Sequence, residues 1–167
     1  MRNRWLHISL EDSVEYGSIE RELRIDATPE VVYEVVSSPE HLREWWSDHA
    51  ELDPVPGGPL TITFGDPASP EAKVEQLTVV EADPPRRFAF LWVTEQGEQA
   101  ASGNSLLVTI DIVASGDGSL LRFKETGFRE RGWEAAVLEQ AYRDHAQGWD
   151  HFLPLLVAYA EKLVARP

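Results

Sequence analysis

With 167 residues, the chain is long enough for one domain with a sizeable core and short for two. Hydrophobic residues make up 43% of it, which excludes wholesale disorder, and the absence of cysteine excludes disulfides, thiolate catalysis and cysteine-based zinc sites. The 29 acids against 15 bases leave a net charge of −14 with no Lys/Arg stripe, which disfavours nucleic acid and anionic membranes as partners.

Met1 to Gly17 carries charges throughout and no apolar h-region, so it does not read as a signal peptide. No run approaches the length of a transmembrane helix, and a cytoplasmic protein is the default expectation. Leu6, Ile8 and Leu10 alternate with His7 and Ser9, the pattern of a short edge strand or a docking segment. Residues 1–17 are read as an extension and 18–167 as a single domain.

Ile19 to Asp26 is strand-like. It leads into Thr28 to Trp46, which carries the same helix-start device twice. Thr28 and Ser38 are hydroxyl N-caps, able to accept from an unpaired N–H of the first turn. Pro29 and Pro39 suit the first helical position, and Glu30 and Glu40 sit near the positive end of each helix dipole. Asp53 to Pro59, with three prolines and two glycines, is a turn. Leu60, Ile62 and Phe64 then alternate with threonines, and Lys73 to Ala82 forms a longer strand closed by Asp83-Pro-Pro85. Arg86 to Thr94 follows, apolar on both faces. A loop from Glu95 to Asn104 leads into a strand at Ser105 to Ala114. Ser115-Gly-Asp-Gly118 reads as a tight hairpin turn, and Leu120 to Thr126 as the last strand.

From about Trp133 the period changes. Leu138, Tyr142, His145, Trp149, Phe152, Leu156, Ala160 and Leu163 recur at spacings of three and four, the mark of a long amphipathic helix. Pro154 inside it predicts a kink near Asp150, whose carbonyl the ring would crowd. The order β, α, α, about six antiparallel strands and a long helix is α+β. A curved sheet cannot cover its own concave face, so the long helix is predicted to lie across it, with the two small helices plugging one end and an aromatic-lined cavity between.

The strand Ile19–Ile25, the helix motifs Ala27–Tyr33 and Ser38–Trp46, and Pro56-Gly-Gly58 together resemble a known family. Val80–Arg87, Gly118–Phe128 and Gly148–Leu153 continue the match. The chain resembles the START-like, helix-grip (SRPBCC) superfamily, and within it the bacterial proteins similar to the C-terminal domain of the activator of the Hsp90 ATPase (AHSA1-like). The resemblance implies a curved antiparallel sheet of about six to seven strands wrapped around a long C-terminal helix, with two short helices after the first strand. These are fold motifs, and they identify a container without its contents. In that family the last strand often ends in histidine; here Glu125 takes the place.

Trp45 and Trp46 end the second helix, either walling the mouth of a cavity or sealing the core. Phe64, Phe88, Phe90, Trp92, Phe123, Phe128, Trp149 and Phe152 are the other aromatics expected to line or cap the interior. Alternation puts Glu125 on the face of Leu121 and Phe123, hence inward, unless the strand ends there and the carboxylate reaches water. His145 lies on the apolar stripe of the long helix, where it either meets Glu125 as an acid/base pair or packs as a satisfied rim residue. Asp48, His49, Glu51 and Asp53 are oxygen-rich, but their irregular spacing on an expected loop does not suit a metal. No GxSxG, HExxH or phosphate-binding loop is present, so no catalytic residue, metal or cofactor is assigned.

The leading expectation is a non-catalytic module holding a small apolar molecule. Its ligand-binding set is Trp45, Trp46, Phe64, Phe90, Trp92, Phe123, Glu125, Phe128, His145, Trp149 and Phe152. The alternatives are a chaperone-related protein-interaction domain, as the resemblance implies, and a polyketide cyclase- or hydrolase-like enzyme using Glu125 and His145. A monomer or a homodimer is expected.

Overall fold

The computed structural model describes residues 16–93 and 103–165. β1 (Ser18–Ile25) is followed by α1 (Pro29–Ser37) and α2 (Pro39–Trp45), then by β2 (His49–Leu52), β3 (Pro59–Phe64), β4 (Lys73–Asp83), β5 (Arg87–Val93), β6 (Ser105–Ser115) and β7 (Gly118–Thr126). A single 3-10 turn at Arg129–Arg131 precedes α3 (Ala135–Val164). The expectations for residues 1–15 and for most of the loop at 95–104 lie outside the described residues. Among those described, no helix is long and apolar enough to cross a membrane.

The seven strands form one antiparallel sheet in the order β1-β7-β6-β5-β4-β3-β2, the helix-grip α+β arrangement. From β2 to β7 each strand pairs with its neighbour in sequence, while β1 adds to the far side of β7, Ile19 opposite Glu125. The β6–β7 hairpin turns through Gly116, whose φ of 59° favours a residue without Cβ. In β4 a bulge between Val79 and Glu81 inserts Val80 and resets the alternation, leaving Val79 buried and both Val80 and Glu81 exposed.

The first helix starts as its sequence dictates, with the Thr28 hydroxyl accepting from the Val31 N–H at 3.4 Å. Ser38 is a correction. It begins α2 through its backbone carbonyl, which accepts from His41 and Leu42, but its hydroxyl donates to Glu34 in the preceding turn. With one residue between helices, the side chain has a helix-end partner on either side, and the carboxylate is the stronger acceptor. The stretch around His49 also departs from expectation. It is a strand rather than a loop, recruited by pairing along β3 from Leu52 opposite Leu60 to His49 opposite Thr63.

α3 runs unbroken through Pro154 and lies against the sheet face that carries Ile110, Leu121 and Phe123. It is tied at several points along its length. Tyr142 donates to the Ser18 carbonyl at 2.9 Å and Asp150 takes Arg21 in a two-point ion pair, while Glu161 accepts from the Asp26 N–H. His41 of α2 meets the Tyr159 hydroxyl at 2.6 Å. These bonds, made to β1 on one side and α2 on the other, fix how far the helix stands from the sheet. That spacing decides whether a cavity remains.

Candidate functional site

A cavity of about 470 Å3 does remain, between α3 and the β3–β5 part of the sheet. Helical spacing puts Ala141, His145, Gly148, Trp149 and Phe152 on one stripe of α3, and all five line it. Opposite stand Phe64 from the end of β3, Glu75 from β4 and Trp92 from β5. Trp46, just past α2, closes one end, and Trp133, ahead of α3, stands at its wall. The cavity opens to solvent past the exposed side chains of Lys73 and Asp144.

The indoles are arranged by carboxylates. Trp149 donates its Nε1–H to Glu125 at 2.9 Å, and Trp92 donates its own to Glu75 at 3.0 Å. His145 Nδ1 lies 3.1 Å from both Glu125 oxygens. Glu125 has no exposed surface, and its inward direction follows from alternation with Leu121 and Phe123, as expected. A buried carboxylate is costly unless bonded, and here an indole N–H and an imidazole together satisfy it. Only His145 of this pair is presented to the cavity, with Nε2 lacking a hydrogen-bond partner among the described residues.

Burial alone would lower the pKa of His145. The hydrogen bond and charge of Glu125, with Glu75 adding from β4, outweigh burial and the repulsion of Lys73, so the value stands above the usual 6.5. A raised folded-state value means the pair contributes stability in full below the unfolded histidine value. That contribution is lost as pH rises through the folded value. We therefore expect wild-type stability, measured by urea unfolding, to decline from near pH 6.5 upward relative to His145→Gln, whose curve lacks this component. Parallel curves for the two proteins would show that the pair does not titrate as described.

Of the eleven residues expected to bind a ligand, the structure brings Trp46, Phe64, Trp92, His145, Trp149 and Phe152 to the cavity. The other five lie behind its wall. Trp45 is buried with its Nε1–H on the Val35 carbonyl, stacked on Trp46 at 5.7 Å. Phe90 packs beneath Trp46, Phe123 against Trp149 at 4.5 Å, and Phe128 edge-on to His145. Glu125 stands behind His145 and Trp149, bonded to both. Glu75, Lys73, Trp133 and Asp144 were not anticipated from sequence. Glu75 carried the same signal as Glu125, since it alternates with Leu77 and Val79 on the inner face of its strand. Among the described residues, no group of three His, Asp or Glu side chains is placed to hold a metal ion.

The family described as activator of Hsp90 ATPase homolog 1-like protein matches residues 26–161. No curated protein matches the chain. Among solved structures, protein NE0264 from Nitrosomonas europaea is similar, at 12% identity over 89% of this chain and 96% of its own, with a TM-score of 0.70. The Aha1 dimer from Colwellia psychrerythraea is similar at 19% identity over 86% and 96%, with a TM-score of 0.65. CalU16 from Micromonospora echinospora is similar at 22% identity over 89% and 79%, with a TM-score of 0.61. At these identities the likeness is one of fold.

Proposed function

The chain belongs to the activator of Hsp90 ATPase homolog 1-like family, and on that premise we propose that it is a binding module, not an enzyme, holding a small, largely apolar molecule between α3 and the sheet. The domain that does this is residues 18–167, with 1–17 as an extension. The observation that carries the reading is the cavity itself. It could have been filled by the surrounding rings, yet about 470 Å3 stays open among Trp46, Phe64, Trp92, Trp149 and Phe152. Apolar burial there is worth about 25 cal/mol per Å2 removed from water. His145 supplies one polar contact, oriented by Glu125.

Gly148 provides the test. It sits on the lining stripe, and a Cβ built on it meets nothing within 4 Å. The Cβ of Gly148→Leu therefore enters the opening without a clash, and the change removes a helix-interior glycine, worth about 0.5–1 kcal/mol of stability. Native mass spectrometry of gently purified protein, with titration of apolar fluorescent probes, should show uptake by the wild type. The variant should melt at the same temperature or higher and take up none. Equal uptake by both would place binding elsewhere and end this assignment.

One observation favours a second reading. His145, held at Nδ1 by a buried carboxylate and with Nε2 unbonded among the described residues, has the form of an oriented general base. A cyclase or hydrolase would use it on a bound substrate, and loss of turnover in His145→Gln with binding retained would identify that activity. A chaperone-type partner is favoured less, because that reading calls for a small or filled cavity.

A further inference from the structure

Glu75 is the least satisfied charge in the cavity. Its residue is 9% exposed, yet among the described residues its carboxylate receives one hydrogen bond, from the Trp92 indole. Its other oxygen faces Lys73 Nζ at 3.5 Å, too long for a hydrogen bond, from a lysine side chain that is itself 70% exposed. An ionised carboxylate offers about four acceptor positions, and one left so poorly filled in a sheltered place is costly. Glu125, by contrast, is fully engaged by Trp149 and His145.

Around Glu75 the aromatic surfaces have one electrostatic character. The rings of Trp46, Trp92 and Trp149 lie 5.3–6.0 Å apart by centroid. Two of them donate their N–H to a carboxylate, which pushes electron density onto the ring and strengthens its negative face. Nearby, Trp133 already carries a cation, the Arg131 guanidinium, at 4.7 Å from its ring centre. With Glu75 matched by Lys73 and Glu125 by at most the His145 imidazolium, the rim carboxylate of Asp144 leaves the described cavity wall with negative excess.

From these features we infer that the ligand carries a cationic amine on its apolar body, with the ammonium on Glu75 in place of Lys73 and against the Trp46 and Trp92 rings. This rests on the cavity being the binding site proposed above, and it excludes a free fatty acid or other carboxylate as the preferred occupant. Lys73 is then the exchangeable counter-ion, able to swing into solvent when the ligand enters.

Phenylbutylamine, phenylbutanol and phenylpentanoate share one apolar body and differ in the charge at its end. Calorimetric titration of the wild type should give the amine an affinity about tenfold or more above the alcohol, with the carboxylate weakest. Glu75→Gln keeps an oxygen for the Trp92 N–H, and should abolish the preference for the amine while leaving the alcohol unchanged. Lys73→Met, an exposed change that leaves the core alone, should raise amine affinity several-fold even if the glutamine variant folds poorly. Equal binding of all three probes, or tightest binding of the carboxylate, would overturn the inference while leaving the cavity as the binding site. Binding of no probe would overturn both.

Discussion

Glu125→Ala is expected to cost about 3–5 kcal/mol of stability, because it strips a buried charge pair of its acceptor and leaves a void. The alanine abandons the Trp149 N–H, which in the wild type donates at 2.9 Å to a carboxylate with no exposed surface. It also removes what holds the His145 ring on the cavity wall. Glu125→Gln keeps shape and one acceptor, and should lose only about 1–3 kcal/mol. It should also move the His145 titration downward, since the charge that opposes burial is gone. Urea denaturation measures the first effect and proton NMR of the imidazole the second. A Glu125→Ala protein within about 1 kcal/mol of wild type would mean that the Glu125 carboxylate is not shut away from solvent as described.

Trp46→Ala should lose a comparable amount, about 3–5 kcal/mol, and change the cavity as well. Its indole touches Trp45, Phe90, Trp92 and Trp149 at centroid distances of 5.3–5.8 Å, the densest aromatic junction in the molecule's described part. Trp45→Ala is the control. It should destabilise by a similar amount, since that ring is equally buried and its N–H is bonded to Val35, yet it does not border the cavity. Thermal melts and probe titration on both variants separate the roles. Altered uptake in Trp46→Ala alone is the expected pattern, and identical uptake would show that Trp46 seals the core and nothing more.

The elements legible in the sequence were those encoded locally. The Thr/Ser-Pro-Glu starts, the alternating strands, the Ser115–Gly118 hairpin and the long 3.6-period stripe each need only their own neighbours to be read. β2 was not legible, because His-Ala-Glu-Leu has little intrinsic strand preference and exists as a strand through its pairing with β3. The site was half legible for a related reason. Periodicity tells which face a residue occupies, so Glu125 was found inward, and Glu75 was findable by the same rule. It cannot tell how deep a ring sits on that face. Trp45 and Trp46 are adjacent in the chain, and only the stand-off of α3 puts one on the cavity and the other in the core. Phe90 and Trp92, two apart on one strand, divide in the same way.

The position of β1 in the sheet has a consequence for how the molecule is made. Among the described residues its one strand partner is β7, and the register that joins Ile19 to Glu125 spans most of the chain. On a ribosome adding about 5–20 residues per second, β1 emerges on the order of ten seconds before the edge it belongs to. Throughout that interval Ile19, Leu23 and Ile25 have no sheet to cover them, and the meander from β2 to β6 must assemble first. Closing so long a loop makes this last pairing the slow, high-contact-order step of assembly. The strand that opens the described sheet is the last to be locked in.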